Sequence, residues 1–221
     1  NGNLRIFCVE TAKSINFLLE TYNWFKENKL NYKILPIQPR GFAENEKDFI
    51  LNPQIYVDAL LKVYNFWLKD KENTMNMYTF QEFLKLKKES NFKEKWFDRK
   101  LSLNPDGNFY PFGRPYDINF NLGNPYDLDN IDECFSNKNY IKLKDILNKK
   151  INEKCTNCQV FSTCNGTCLC SSFVYGNDED MLEYSCELAR LTFKNVIKIN
   201  EKVEKEISDK QYQSYSERVL K

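Results

Sequence analysis

The chain has 221 residues, of which 42% are hydrophobic and 15% aromatic, which excludes a disordered polar chain and allows one large domain or two small ones. Lys and Arg number 32 against 31 Asp and Glu, and this balance excludes a chain-wide charge that would attract nucleic acid or an anionic membrane. Eight cysteines and no histidine exclude Ser-His and Cys-His catalytic pairs and His-ligated metals.

The first 50 residues predict one βαβ unit. Residues 4–10 and 32–37 are short apolar runs, and a helical pattern separates them. The apolar face of that helix is predicted to carry Ile15, Leu18, Leu19, Tyr22 and Phe25. A helical crossover makes the two strands parallel neighbours. Because two parallel strands alone leave edges and faces uncovered, residues 1–50 are predicted to end a larger α/β sheet or partial parallel barrel.

The rest of the chain predicts a helical linker and then a small mixed domain. Residues 51–95 form the linker, with helices over 53–70 and 78–90. Residues 96–221 form the last domain, in which an Asp-Gly turn signal at 104–107 predicts a hairpin of strands 101–103 and 109–112. We also expect an extended segment at 119–124, helices at 127–136 and 138–149, a loop at 155–176 and a long helix from Asp178 towards Asp209. The fold class is therefore mixed α/β, of the α+β kind.

The cysteines are concentrated near the carboxyl terminus. The spacing is Cys155-x2-Cys158-x5-Cys164-x3-Cys168, followed after seventeen residues by Cys186. A Cys-x-x-Cys turn presents two thiolates to one centre at about 2.3 Å, and two later thiolates complete a tetrahedral metal site or hold an iron-sulfur cluster. Helical spacing with Leu182 places Cys186 on the inward face of the long helix. The spacing alone does not distinguish three states of these cysteines: ligands of an iron-sulfur cluster, ligands of a structural zinc, and unliganded or disulfide-bonded thiols.

Three cysteines have simpler interpretations. Cys8 lies in an apolar strand and Cys134 on a helical pattern, and both are predicted to be small packing residues. Cys170 can face either way. The first ten residues show no secretion signal, and no apolar run approaches the roughly 20 residues of a membrane span, so we expect a cytoplasmic protein without a membrane or nucleic-acid partner.

The cysteine spacing resembles the carboxyl-terminal half of the SPASM seven-cysteine signature, the auxiliary-cluster domain of radical S-adenosylmethionine enzymes. The resemblance implies that Cys155, Cys158, Cys164 and Cys186 bind one four-iron four-sulfur (4Fe-4S) cluster. It also implies that Cys168 belongs to a second cluster.

Two departures from that family are visible in the sequence. Where the family has two further cysteines, residues 91–98 contain none and Gly107 is followed after four residues by Phe112, so the second ligand set is absent unless Cys134 or Cys170 substitutes. The Cys-x3-Cys-x2-Cys motif that binds the S-adenosylmethionine-cleaving cluster also occurs nowhere in the 221 residues. The resemblance therefore implies catalysis only within a longer parent chain.

The implied function is the carboxyl-terminal portion of an oxidoreductase that modifies a peptide or protein, a maturase. Its remaining cluster would transfer electrons or position the substrate. Gln38 and Arg40 at the barrel end and Arg114 in the turn-rich segment are candidate substrate contacts, although Arg114 could instead form a salt bridge within its turn. The alternative is a non-catalytic module that is stabilised by a structural zinc and binds a peptide or protein partner.

Overall fold

A computed structural model describes residues 4–39, 42–72, 74–86, 99–111, 118–167, 169 and 179–206. The chain divides into two compact units, the first of residues 1–88 with 190–221 and the second of residues 89–189. Helices are combined with two small two-stranded sheets, which confirms the mixed α+β class. The predicted boundaries near residues 50 and 95 stay predictions.

The predicted βαβ unit is present in the first unit. Strands β1 (Ile6–Glu10) and β2 (Tyr32–Pro36) pair in parallel, with Ile6 opposite Tyr32 and Glu10 opposite Pro36. Helix α1 (Leu18–Glu27), which follows a 3-10 turn at Ile15–Phe17, connects them. The predicted apolar face is buried at Ile15, Leu18, Tyr22 and Phe25, whereas Leu19 is exposed.

The outer edge of β2 is closed by a later segment of the chain. Tyr32 forms a parallel bridge with Met77 and donates its backbone N–H to the Asn76 carbonyl at 3.1 Å. The Thr79 hydroxyl accepts from the Ile34 N–H at 2.9 Å and donates to the Ile34 carbonyl at 3.1 Å. Within the described ranges, β2 is the one strand that pairs with β1.

The other helices of the first unit are α2 (Phe42–Asn45), α3 (Pro53–Lys69) and α4 (Tyr78–Leu84), with a 3-10 turn at Lys47–Phe49. Helix α3 confirms the prediction: Pro53 is its first residue, and the Asn52 side chain accepts from the Gln54 and Ile55 N–H groups. The prediction of a helix over 78–90 was wrong at residues 85 and 86, because α4 ends at Leu84, and residues 87–90 lie outside the described residues. The Leu86 N–H turns back to the Phe83 carbonyl at 3.0 Å, which tightens the last turn.

A buried asparagine holds the end of α4. Asn200 belongs to the long helix α8 (Glu179–Glu206), in the part that lies in the first unit, and its side chain is 5% exposed. Its amide nitrogen donates to the carbonyls of Phe83 at 2.9 Å and Leu86 at 3.2 Å, and its amide oxygen accepts from the Tyr64 hydroxyl at 2.7 Å. One side chain thus satisfies carbonyls that the end of a helix leaves open.

In the second unit, strands β3 (Leu101–Leu103) and β4 (Phe109–Pro111) form the predicted antiparallel hairpin. Gly107 occupies its turn with a φ of +80°, a region that favours glycine. The extended segment predicted at 119–124 is instead a 3-10 turn at Ile118–Phe120, after which Leu122 and Gly123 exchange backbone hydrogen bonds with Phe109.

The helix predicted at 127–136 was also wrong in length. A 3-10 turn occupies Pro125–Asp127, and α5 covers Glu133–Ser136. The Asn124 side chain accepts from the Tyr126 N–H, and the Asn130 side chain accepts from the Asp132 N–H at 2.9 Å. These side chains offer the backbone partners outside a helix, so the helix starts late.

Two helices frame the cysteine-rich segment. Helix α6 (Lys138–Lys154) runs five residues beyond its predicted end and buries Tyr140, Leu143, Leu147 and Ile151. Helix α8 confirms the long helix over Glu179–Glu206, while Asp178 and residues 207–209 lie outside the described residues. Of the helices that the structure describes, none has both the length and the apolar composition needed to cross a membrane.

We expect Asn200→Ala to lower the free energy of unfolding by about 2–3 kcal/mol, because it removes two buried hydrogen bonds and one that is partly buried. Urea unfolding followed by circular dichroism measures this. The matched control is Asn195→Ala on the same helix. Its amide donates to the Leu191 carbonyl of that helix, so we expect a change within about 0.5 kcal/mol. Equal losses in the two variants would contradict the role of Asn200.

Candidate metal centre

The first two candidate ligands lie on a hydrogen-bonded turn. Cys155 ends α6, and its N–H donates to the Ile151 carbonyl at 2.8 Å. The Cys158 N–H then donates to the Cys155 carbonyl at 3.0 Å. This bond closes the Cys-x-x-Cys segment into a tight turn, so the two thiols belong to one short, locally ordered piece of backbone.

The third candidate ligand is carried by the short helix α7 (Phe161–Cys164). The Cys164 N–H donates to the Val160 carbonyl at 2.7 Å, and the chain then leaves the helix through Asn165 and Gly166, with φ values of +50° and +79°. A Cβ on Gly166 would lie 3.1 Å from the Ile151 Cδ1 atom. Because Ile151 lies about one turn before Cys155, this approach holds the loop after Cys164 against the end of α6.

The fourth candidate ligand, Cys186, is half-buried on α8. An ion pair joins the start of this helix to the end of α6, since the Lys154 Nζ lies 2.5 Å from the Glu179 Oε2. The hydrogen bond that Lys154 donates to Glu179 raises the pKa of Lys154, and the charges of Glu179 and Cys186 raise it further. The pair thus joins the end of α6, which carries Cys155, to the start of α8, about two turns before Cys186.

Cys155 lies within electrostatic range of the other three candidate ligands. Burial raises the pKa of Cys155 to about 11, and the negative charges of Cys186, Cys164 and Cys158 contribute in that order. Cys155 and Cys164 are 9% and 8% exposed, and Cys158 and Cys186 are half-buried. All four are present as thiols. The sequence prediction that these four residues bind one metal stays a prediction.

Four cysteine side chains are suitable ligands for an all-sulfur metal centre. In this structure, however, the four thiols are not arranged around a common point. Among the residues described, no group of three or more Cys, Asp and Glu side chains stands in a metal-binding arrangement. Binding would require the thiols to draw together and lose their protons, since thiolate is the ligand form. A bound cation would then replace the mutual repulsion of four thiolates with attraction.

The other predicted site residues are mostly ones that the structure does not describe. Cys168, Cys170, Arg40 and Arg114 are outside the described residues, as are residues 91–98 and Phe112. Gln38 lies in the first unit, away in sequence from the thiols, and its amide oxygen is buried without a hydrogen-bond donor among the described residues.

The packing role predicted for Cys134 is confirmed, since its side chain is completely buried with Leu122 and Tyr140. Cys8 differs from its prediction. It is half-buried, and its thiol donates to the Glu10 Oε1 at 3.3 Å. Sequence reasoning missed Glu10, which is 2% exposed at the end of β1. Its signal in the sequence is a carboxylate that directly follows an apolar strand.

No model of a known protein family, no curated protein and no solved structure matches this chain. The prediction of a metal centre therefore depends only on the cysteines of this chain and their surroundings.

We expect the Cys155 thiol of the metal-free protein to react slowly with iodoacetamide at neutral pH and faster as the pH rises towards 11. A rise in pKa from 9.0 to about 11 leaves roughly 100-fold less thiolate below pH 9, and thiolate is the reactive form. Mass spectrometry of the alkylated peptides measures the rate at this residue. The reference is the same protein in urea, and equal rates at pH 7.5 in the two states would contradict the raised pKa.

Proposed function

We propose that this chain is the carboxyl-terminal, auxiliary-cluster portion of a radical S-adenosylmethionine enzyme that modifies a peptide or protein. The observation that carries the proposal is the convergence of Cys155, Cys158, Cys164 and Cys186, whose spacing resembles the SPASM signature and whose charges act on one another. Four thiolates can hold the corners of one 4Fe-4S cluster, and a cluster of this kind supplies one-electron transfer.

The chain's own residues define how such a cluster would be held. Cys155 and Cys164 would form its buried side, and the half-buried Cys158 and Cys186 would face the route for electrons or substrate. Lys154 adds a positive charge next to Cys186, which offsets part of the negative charge of a thiolate-ligated cluster. Backbone hydrogen bonds of Cys155, Cys158 and Cys164 hold the first three ligands in local turns, and the fourth is carried by α8.

The first unit supports the larger fold that the proposal requires. Phe7 and Val9 leave one face of β1 exposed, at 57% and 53%, and among the described residues no second strand pairs with β1 besides β2. Further parallel strands added at β1 would pair with this strand and cover that face, as in a partial barrel. In this proposal the cysteines that cleave S-adenosylmethionine belong to such strands in a longer parent chain, and the protein works in the cytoplasm, where thiols stay reduced.

The same four thiols also form a complete tetrahedral ligand set for zinc. This donor set favours a second candidate, a zinc-stapled module that binds a peptide or protein partner without redox chemistry. Metal identity separates the two candidates, because either metal would stabilise the same segment.

We expect the 221-residue chain, purified without oxygen and supplied with iron and sulfide, to be brown, to absorb near ~400 nm and to hold about four iron atoms. Cys155→Ser and Cys186→Ser should each lose most of this absorbance. The matched control is Cys134→Ala, a buried cysteine of the same unit that packs against Tyr140, and it should keep the iron.

A colourless protein with one zinc per chain would instead establish the second candidate. Iron or zinc retained in full by both Cys155→Ser and Cys186→Ser would contradict both candidates, since neither metal would then depend on these thiols.

A further inference from the structure

The first unit contains a buried carboxylate that is paired with neutral groups. Glu10 is the last residue of β1 and is 2% exposed. Its Oε2 accepts from the Ser14 hydroxyl at 2.7 Å, and its Oε1 accepts from the Cys8 thiol at 3.3 Å. In the part of the chain that the structure describes, no Lys or Arg forms an ion pair with it. A charge buried in this way is costly unless a cation accompanies it.

A second acceptor lies at the same end of the sheet. The Ile37 N–H donates to the Glu10 carbonyl at 2.8 Å, so the backbone pairing of the two strands continues to the residue just before Gln38. The Gln38 Oε1 is buried and accepts no hydrogen bond from the described residues. Both acceptors therefore follow the carboxyl ends of adjacent parallel strands, which is where open α/β sheets bind ligands.

We infer that Glu10 and Gln38 form a binding site for the positively charged N–H group of a ligand, either an ammonium or a guanidinium. A carboxylate and an amide oxygen need hydrogen-bond donors, and Glu10 also needs positive charge. An ammonium offers three donors and a guanidinium five, so either group has enough donors for both acceptors. Calcium requires six to eight oxygen ligands, which is more than these two side chains provide.

Ser14 is a positioning residue for this site. Its hydroxyl also accepts from the Thr11 N–H at 2.9 Å, so the turn after β1 fixes the donor that orients the Glu10 carboxylate. The site does not depend on the cysteine centre. If the ligand is a peptide, the group that fits is a lysine or arginine side chain or the amino terminus. Only this assignment to a peptide rests on the proposed function.

The test uses the full chain with n-butylammonium and n-butylguanidinium chloride as probes. Butan-1-ol and sodium chloride at matched concentrations serve as controls. Scanning calorimetry should show a saturable rise in melting temperature with at least one cationic probe and none with the controls, because a ligand that binds the folded state stabilises it. We expect Glu10→Gln to abolish the rise, and Gln38→Leu to weaken the apparent affinity about 10-fold.

The matched control variant is Glu20→Gln, an exposed carboxylate on α1 of the same unit, which should keep the full response. Cys155→Ser should also keep it, so failure of the cysteine proposal and failure of this inference are distinguishable. The inference is overturned if no probe gives a saturable rise, or if Glu10→Gln responds like the parent chain. If Glu10→Gln does not fold, the affinity of Gln38→Leu and Ser14→Ala for the cationic probes is measured instead. Unchanged affinity in both variants would overturn the inference.

Discussion

The constraint on which the candidate site depends is the mutual repulsion of four neighbouring sulfur groups. Burial, followed by the charges of Cys186, Cys164 and Cys158, raises the pKa of Cys155, so the metal-free protein favours the protonated form of this thiol. A soft metal cation reverses this balance, because it favours the thiolate form of each ligand. Structural zinc contributes about 10–16 kcal/mol in small peptides, and whole domains are stable by about 5–15 kcal/mol. The fold of the second unit and the binding of a metal are therefore expected to be coupled.

Local patterns predicted the regular elements well. Hydrophobic periodicity placed α3 and the long α8, the Asp-Gly signal placed the β3–β4 hairpin, and two apolar runs separated by a helix gave the parallel β1–β2 pair. The errors occur where polar side chains bind the backbone. Asn130 delays the start of α5, and Asn200, which is distant in sequence, binds the carbonyls at the end of α4. Helix propensity, which is summed over a short stretch of sequence, contains no information about a partner that is distant along the chain.

The candidate ligands could be predicted because cysteine spacing alone limits which thiols can share a centre. Their setting could not be predicted in the same way. The approach of Gly166 to Ile151 and the Lys154 to Glu179 ion pair depend on how separate helices pack. The buried Glu10 carboxylate likewise becomes notable only when the structure shows that it has neutral partners. A carboxylate at the end of an apolar strand is a signal to look for, and the three-dimensional neighbours decide its meaning.

The most direct test of the central claim is X-ray absorption spectroscopy at the metal edge of the metal-loaded chain. The account predicts a first shell made of sulfur at about 2.3 Å, whether the metal is iron or zinc, and loss of that shell in Cys155→Ser. A first shell made mainly of oxygen or nitrogen would contradict a centre built from Cys155, Cys158, Cys164 and Cys186.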